Sequence, residues 1–152
     1  MFKTTFKTVQ AVLALIFLSN LLIGQTFQHN IDEAKKIATE NNRPIALVFS
    51  GSDWCKPCIQ MRSTILEDDT FVDFANRKLV LMEVDFPYKK ANRLPKKQRA
   101  QNEKLADQYN PKGTFPLIVL TDAQGEVKGE FSYDQRLSVD QYIQHIETIM
   151  AN

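Results

Sequence analysis

The stretch Ile45-Ala46-Leu47-Val48-Phe49-Ser50-Gly51-Ser52-Asp53-Trp54-Cys55-Lys56-Pro57-Cys58 runs an apolar segment straight into the chain's only two cysteines. Ile45 to Phe49 has the length and β-branched content of a strand buried on both faces. Ser50 to Asp53 has loop composition. A helix is expected from about Cys55 to Leu66, with Ile59, Met61, Ile65 and Leu66 as core contacts. Two intervening residues bring both sulfurs to its first turn. Unpaired N–H groups and the positive end of the helix dipole then lie near the first sulfur. They favour the thiolate and make Cys55 the attacking group. Cys58, more enclosed, is the expected resolving thiol. Cys55 would attack a substrate disulfide, and Cys58 would displace the mixed disulfide.

A CxxC pair has rival readings. A metal site needs further ligands, and the chain offers no third cysteine and only His29 and His145, both far off in sequence. Those histidines read as surface residues, so no metal is expected. A static structural bridge closing so small a loop adds little stability through loop entropy.

Working outward, Ile31 to Asn41 has helical spacing with Asn30 as cap, and Arg43-Pro44 ends it. Asp69 or Thr70 is the expected cap of a short helix through Phe71, Phe74 and Ala75. Leu79 to Val84 reads as another buried strand. Pro95 suits the first turn of a helix reaching Tyr109. Pro116 to Thr121 and Glu126 to Phe131 flank Asp122-Ala123-Gln124-Gly125 and form an antiparallel hairpin. Ser138 caps a last helix carrying Val139, Tyr142, Ile143, Ile146 and Ile149. The order α-β-α-α-β-α-β-β-α predicts an α/β fold, a mixed sheet with helices on both faces.

The 152 residues fit one domain and its leader. A hydrophobic content of 43% excludes wholesale disorder, and a net charge of +1 argues against a nucleic-acid binder. Lys3 and Lys7 precede an apolar run from Ala11 to Ile23, the pattern of a signal peptide over residues 1–24 with cleavage near Gly24. An uncleaved membrane anchor is the other reading. Either places residues 25–152 outside the cytoplasm, periplasmic or secreted, in an oxidising compartment. Charge is unevenly spread: Lys89, Lys90, Arg93, Lys96, Lys97 and Arg99 occupy eleven positions with no acid among them. That run reads as a solvated face, or as a docking patch for an acidic partner.

These residues resemble the thioredoxin family over nearly all of residues 25–152. The resemblance rests on the segment from Ile45 to Cys58, on Gly113-Thr114-Phe115-Pro116 before an apolar strand, and on the hairpin from Leu120 to Glu126. It is nearest to exported bacterial thioredoxin-like proteins whose motif reads GSDWCxxC, with a basic, proline-containing insertion at about 86–99. The resemblance implies a thioredoxin fold and a redox-active Cys55–Cys58 disulfide with no bound cofactor. It implies that Pro116 is cis and packed against the cysteines, that Phe115 offers backbone groups to an extended substrate, and that Trp54 shapes the docking surface. Lys56 and Pro57 would tune the redox potential, although they leave the direction of electron flow open.

One departure stands out. Thioredoxin has a buried aspartate six positions before its first active cysteine, and here that position is Phe49. Its usual lysine neighbour aligns with Leu81. The proton of Cys58 would then pass to water, or to a carboxylate such as Glu83 or Asp53, of which Asp53 reads more simply as a surface loop residue. The function implied is thiol–disulfide exchange on exported proteins, more as reductase than oxidant, by a monomer served by a membrane electron-donor or acceptor protein. The alternative is a non-catalytic module that holds a client or Cu(I) through the same cysteines.

Overall fold

The computed structural model describes residues 26–151, so the expected leader at 1–24 lies outside the described residues. Five strands form one sheet in the order β1-β3-β2-β4-β5: β1 Phe27–Gln28, β2 Ile45–Ser50, β3 Val80–Asp85, β4 Leu117–Thr121 and β5 Val127–Ser132. β2 runs parallel to β3 and antiparallel to β4, and β4–β5 is an antiparallel hairpin turning at Gly125, whose φ is 94°. The helices are α1 Ile31–Asn41, α2 Lys56–Met61, α3 Asp69–Lys78, α4 Lys96–Tyr109 and α5 Val139–Met150. Asn30 accepts from the Asp32 and Glu33 amides to start α1, and Asn42 closes it in the left-handed region at φ 50°. Ser138 and Gln141 form a reciprocal capping box on α5.

Strand alternation divides the core. Ile45, Leu47 and Phe49 face α1 and α4 with Val80, Met82, Val84, Leu105 and Val119. Ala46 and Val48 face α2, α3 and α5 with Met61, Phe71, Leu81, Leu120 and Tyr142. Both faces of the central strand are therefore apolar, which explains its unbroken hydrophobic sequence.

Several expectations need correction. The helix through Leu66 is α-helical only to Met61, and Arg62–Leu66 continues as a π-turn. Ile59 is 49% exposed, outside the core. The buried face of this segment is Cys58, Met61, Ile65 and Leu66, and Ile59 lies about 100° round from Cys58. Asp68, rather than Asp69 or Thr70, caps α3, accepting from the Thr70 amide at 2.9 Å. Pro95 stands just before α4 as its cap. The two-residue β1 has no sequence signal, because so short a strand shows no periodicity. Phe49 and Leu81 belong to opposite faces of the sheet, so they do not face each other. Phe49 instead pairs in register with Val84 and shares its face with Met82, which leaves its surroundings equally apolar.

Candidate active site

Parallel β2 and β3 end at the same edge of the sheet, with Ser50 opposite Asp85 in register. The loops that leave the two strands therefore meet in space. After β2 the chain turns on Gly51, whose carbonyl accepts from the Trp54 and Cys55 amides at 3.2 and 2.9 Å. That turn delivers Cys55 to the N-cap of α2. Its sulfur accepts from the Cys58 amide at 3.3 Å, and its carbonyl accepts from the Ile59 amide at 3.1 Å. Pro57 sits in the first turn, where no N–H is needed. Cys55 and Cys58 form a disulfide with Cα atoms 5.2 Å apart. Cys55 is 5% exposed and Cys58 1%, so an incoming sulfur reaches Cys55 first. Lys56 and Pro57 are exposed beside them.

Three aromatic rings stand at this edge. Trp54 is 51% exposed and meets Phe115 edge-on at 5.6 Å between centroids, and Phe115 meets Phe86 in the same way at 5.6 Å. The Trp54 indole N–H donates to the Phe86 carbonyl at 2.7 Å. Phe115 is half-buried, and the Phe115–Pro116 peptide is cis, with Pro116 buried. Sequence reasoning missed Phe86, although its place directly after the end of β3 is a usable signal once β3 is known to lie parallel beside β2.

Gly51 is required by Trp54. A Cβ built there would stand 2.3 to 2.6 Å from three atoms of the indole ring. Gly51→Ala should therefore push the indole off its seat, breaking its bond to Phe86 and its contact with Phe115. Each such contact contributes about 1 kcal/mol. Since Trp54 is the only tryptophan, its emission should shift to longer wavelength in Gly51→Ala, with disulfide exchange slowed several-fold. Unchanged emission would mean that the loop absorbs the methyl group.

Asp53 is more than a surface loop residue. Its two carboxylate oxygens accept from the Tyr88 and Lys89 amides at 2.8 and 2.9 Å and from the Asn92 side chain at 2.9 Å. Beside it, Ser52 donates through both its amide and its hydroxyl to Asp85, at 2.8 and 2.6 Å. The segment after β3 is thus stitched to the active-site loop. The backbone bond from Tyr88 is the leading reason that the Asp53 carboxyl lies below its ordinary value of 3.8. A depressed carboxyl stabilises the fold above its unfolded value and loses that contribution as pH falls through its folded one. The anchor therefore holds at neutral pH and lets go only in acid. Asp53→Ala should speed tryptic cleavage after Lys89, Lys90 or Arg93 several-fold at neutral pH, and equal cleavage rates would show that the segment is held elsewhere.

Glu83, the other expected carboxylate, is ion-paired with Arg62 and has His29 at 3.5 Å. Arg62 lies one helical turn beyond Cys58. His145 packs edge-on against Phe131 at 5.1 Å. Among the described residues no three His, Cys, Asp or Glu side chains are grouped so as to hold a metal. No helix among them is long and apolar enough to cross a membrane.

A disulfide thus stands at a strand-to-helix turn of a mixed sheet with helices on both faces, and Trp54 beside it meets Phe115 of the loop before β4. The chain belongs to the thioredoxin-like domain family, whose model matches residues 31–143. It is 40% identical over 102 residues to the disulfide bond reductase DsbH of Chlamydia pneumoniae, covering 67% of this chain and 60% of that protein. The matched part thus spans less than two thirds of that relative. A solved structure described as the DsbH oxidoreductase superposes with TM-score 0.77 at 33% identity, covering 84% of this chain and 85% of the other. A disulphide isomerase from Xylella fastidiosa shares the fold, with TM-score 0.59 at 16% identity over 79% of this chain and 88% of that one. Within the thioredoxin-like family, the Cys55–Cys58 pair gives this chain the residues for dithiol exchange.

Proposed function

We propose that the protein is a thiol–disulfide oxidoreductase working mainly as a reductase of disulfides in exported proteins. The observation that carries this is the exposure order of the cysteines: Cys55, on the N-cap of α2, keeps 5% of its surface exposed, and Cys58 keeps 1%. The likeness to a disulfide bond reductase supports the direction.

In the reaction the Cys55 thiolate attacks one client sulfur. A Cys55–client disulfide forms, and the other client cysteine leaves as thiolate. Cys58 then loses its proton and attacks the Cys55 sulfur. The Cys55–Cys58 disulfide forms and the second client thiol is released. Two electrons pass to the client, and a dithiol donor must restore the reduced pair. A membrane-embedded reductant fills that role for a protein exported behind residues 1–24. Asp53 is occupied by the segment after β3 and Glu83 by Arg62 and His29, so the Cys58 proton passes to water. Trp54, Phe115 and the backbone around Pro116 receive the client chain, while Lys56 and Pro57 tune the pair.

The test is the Cys55–Cys58 reduction potential, measured by equilibration in thiol buffers. A value near about −270 mV fits a reductase, and one near about −120 mV would make the protein an oxidant. A pair that never cycles would favour the client- or Cu(I)-holding module.

A further inference from the structure

We propose that the segment 86–99 is a charge reader for clients, selecting disulfides whose flanking residues are acidic. The inference rests on the dithiol exchange just described and adds its substrate class.

Three observations carry it. The first is position. Trp54 binds the Phe86 carbonyl, and Asp53, two residues before Cys55, binds the Tyr88 and Lys89 amides. The segment therefore borders the site from which any client sulfur must approach. The second is side-chain disposition. Tyr88 is 85% exposed, and Lys89, Lys90 and Arg93 are exposed as well. Among the described residues Lys90, Arg93, Lys96 and Lys97 make no ion pair. The acid that meets this run is Asp53, and it is consumed in fixing the backbone there. The third is segregation. Six cations and no acid stand in 86–99, while the rest of residues 26–151 carries eleven Lys and Arg against eighteen Asp and Glu.

A flexible loop would let these like charges spread apart. Here the backbone is pinned at Asp53 and at the short 3-10 turn Lys90–Asn92, so Lys89, Lys90 and Arg93 stay together beside the active-site loop. Such a cluster attracts anionic segments and speeds their encounter, an effect that salt screens. An acidic residue beside the client cysteine would meet Lys89, Lys90 or Arg93 as the client lies along Trp54 and Phe115. A basic one would be repelled there.

The test uses the reduced full-length chain and two synthetic peptide disulfides that differ only in Asp or Lys residues flanking the cysteines. Each reaction oxidises the two protein thiols to the Cys55–Cys58 disulfide and reduces the peptide disulfide to two thiols. At low ionic strength the acidic peptide should react about tenfold faster or more, and the ratio should fall towards one in high salt. A K89E/K90E/R93E variant should invert the ratio. Equal rates for the two peptides at low salt, or a ratio that survives the reversal, would overturn the charge reader. Neutral 4,4′-dithiodipyridine separates the two levels. If it oxidises the pair while the peptides react equally, dithiol exchange stands and the charge reader falls. If it does not oxidise the pair, both fall.

Discussion

Cys58→Ser should stop the protein after one chemical step. Cys55 keeps its place on the N-cap of α2, where its sulfur accepts from the residue 58 amide, a bond that serine retains. Attack on a client disulfide therefore proceeds. Release then requires a second thiol, and the only other one in the chain has been removed. The intramolecular attack that normally frees the client has a large effective concentration advantage over any thiol in solution. Turnover should fall by about two orders of magnitude or more, while a one-to-one covalent adduct accumulates that dithiothreitol dissolves. Cys55→Ser should form no adduct, because Cys58 is enclosed behind position 55. Mass spectrometry of the unreduced complexes distinguishes the variants. Stoichiometric client association that survives Cys55→Ser would replace the oxidoreductase with a holding module.

Phe49→Asp, which writes the acid of thioredoxin into this chain, should unfold it at neutral pH. Phe49 is fully buried among Met82, Val84, Leu117 and Val119. Removing the ring alone costs about 3–5 kcal/mol, and a carboxylate without a partner there adds its desolvation. Stabilities of single domains are about 5–15 kcal/mol, so the sum consumes most of what is available. Burial sets the sign of the pH dependence. Desolvation raises the introduced carboxyl above its unfolded value. The variant is then least compromised below the ordinary carboxylate range and loses stability as pH rises through the raised value. Urea unfolding at pH 4 and pH 7.5 checks this, with Phe49→Leu as the control expected to lose far less. A Phe49→Asp midpoint equal to that of Phe49→Leu at both values would mean that the site hydrates an acid without penalty.

The legible parts of this protein are those where one local pattern has one physical solution. The apolar run Ile45 to Phe49 had to be a strand covered on both faces. Asn30, Ser138 and Gly125 announce a cap, a capping box and a turn through chemistry confined to a few neighbouring residues. Cys55, Cys58, Trp54, Phe115 and Pro116 were all in view as a site. Ile59 was misplaced because an apolar residue near a helix start has two outlets, the core or a docking surface. Only the rotation of Cys58, Met61 and Ile65 into the core decides which one it takes.

Residue order by itself determined the α/β class, the strand-to-helix turn that carries both cysteines, and the absence of a buried acid at position 49. Those depend on periodicity and on neighbours within a few positions. Tertiary structure alone decided what lies beside the cysteines. Asp53 and Tyr88 are 35 positions apart, Ser52 and Asp85 are 33 apart, and Trp54 and Phe86 are 32 apart. Parallel pairing of β2 with β3 closes each of those distances at once, because it sets the ends of both strands at one edge of the sheet. No local propensity encodes that pairing. It arises from burying both faces of the central strand, and it brings Tyr88 and Lys89, far away in sequence, beside the active-site loop.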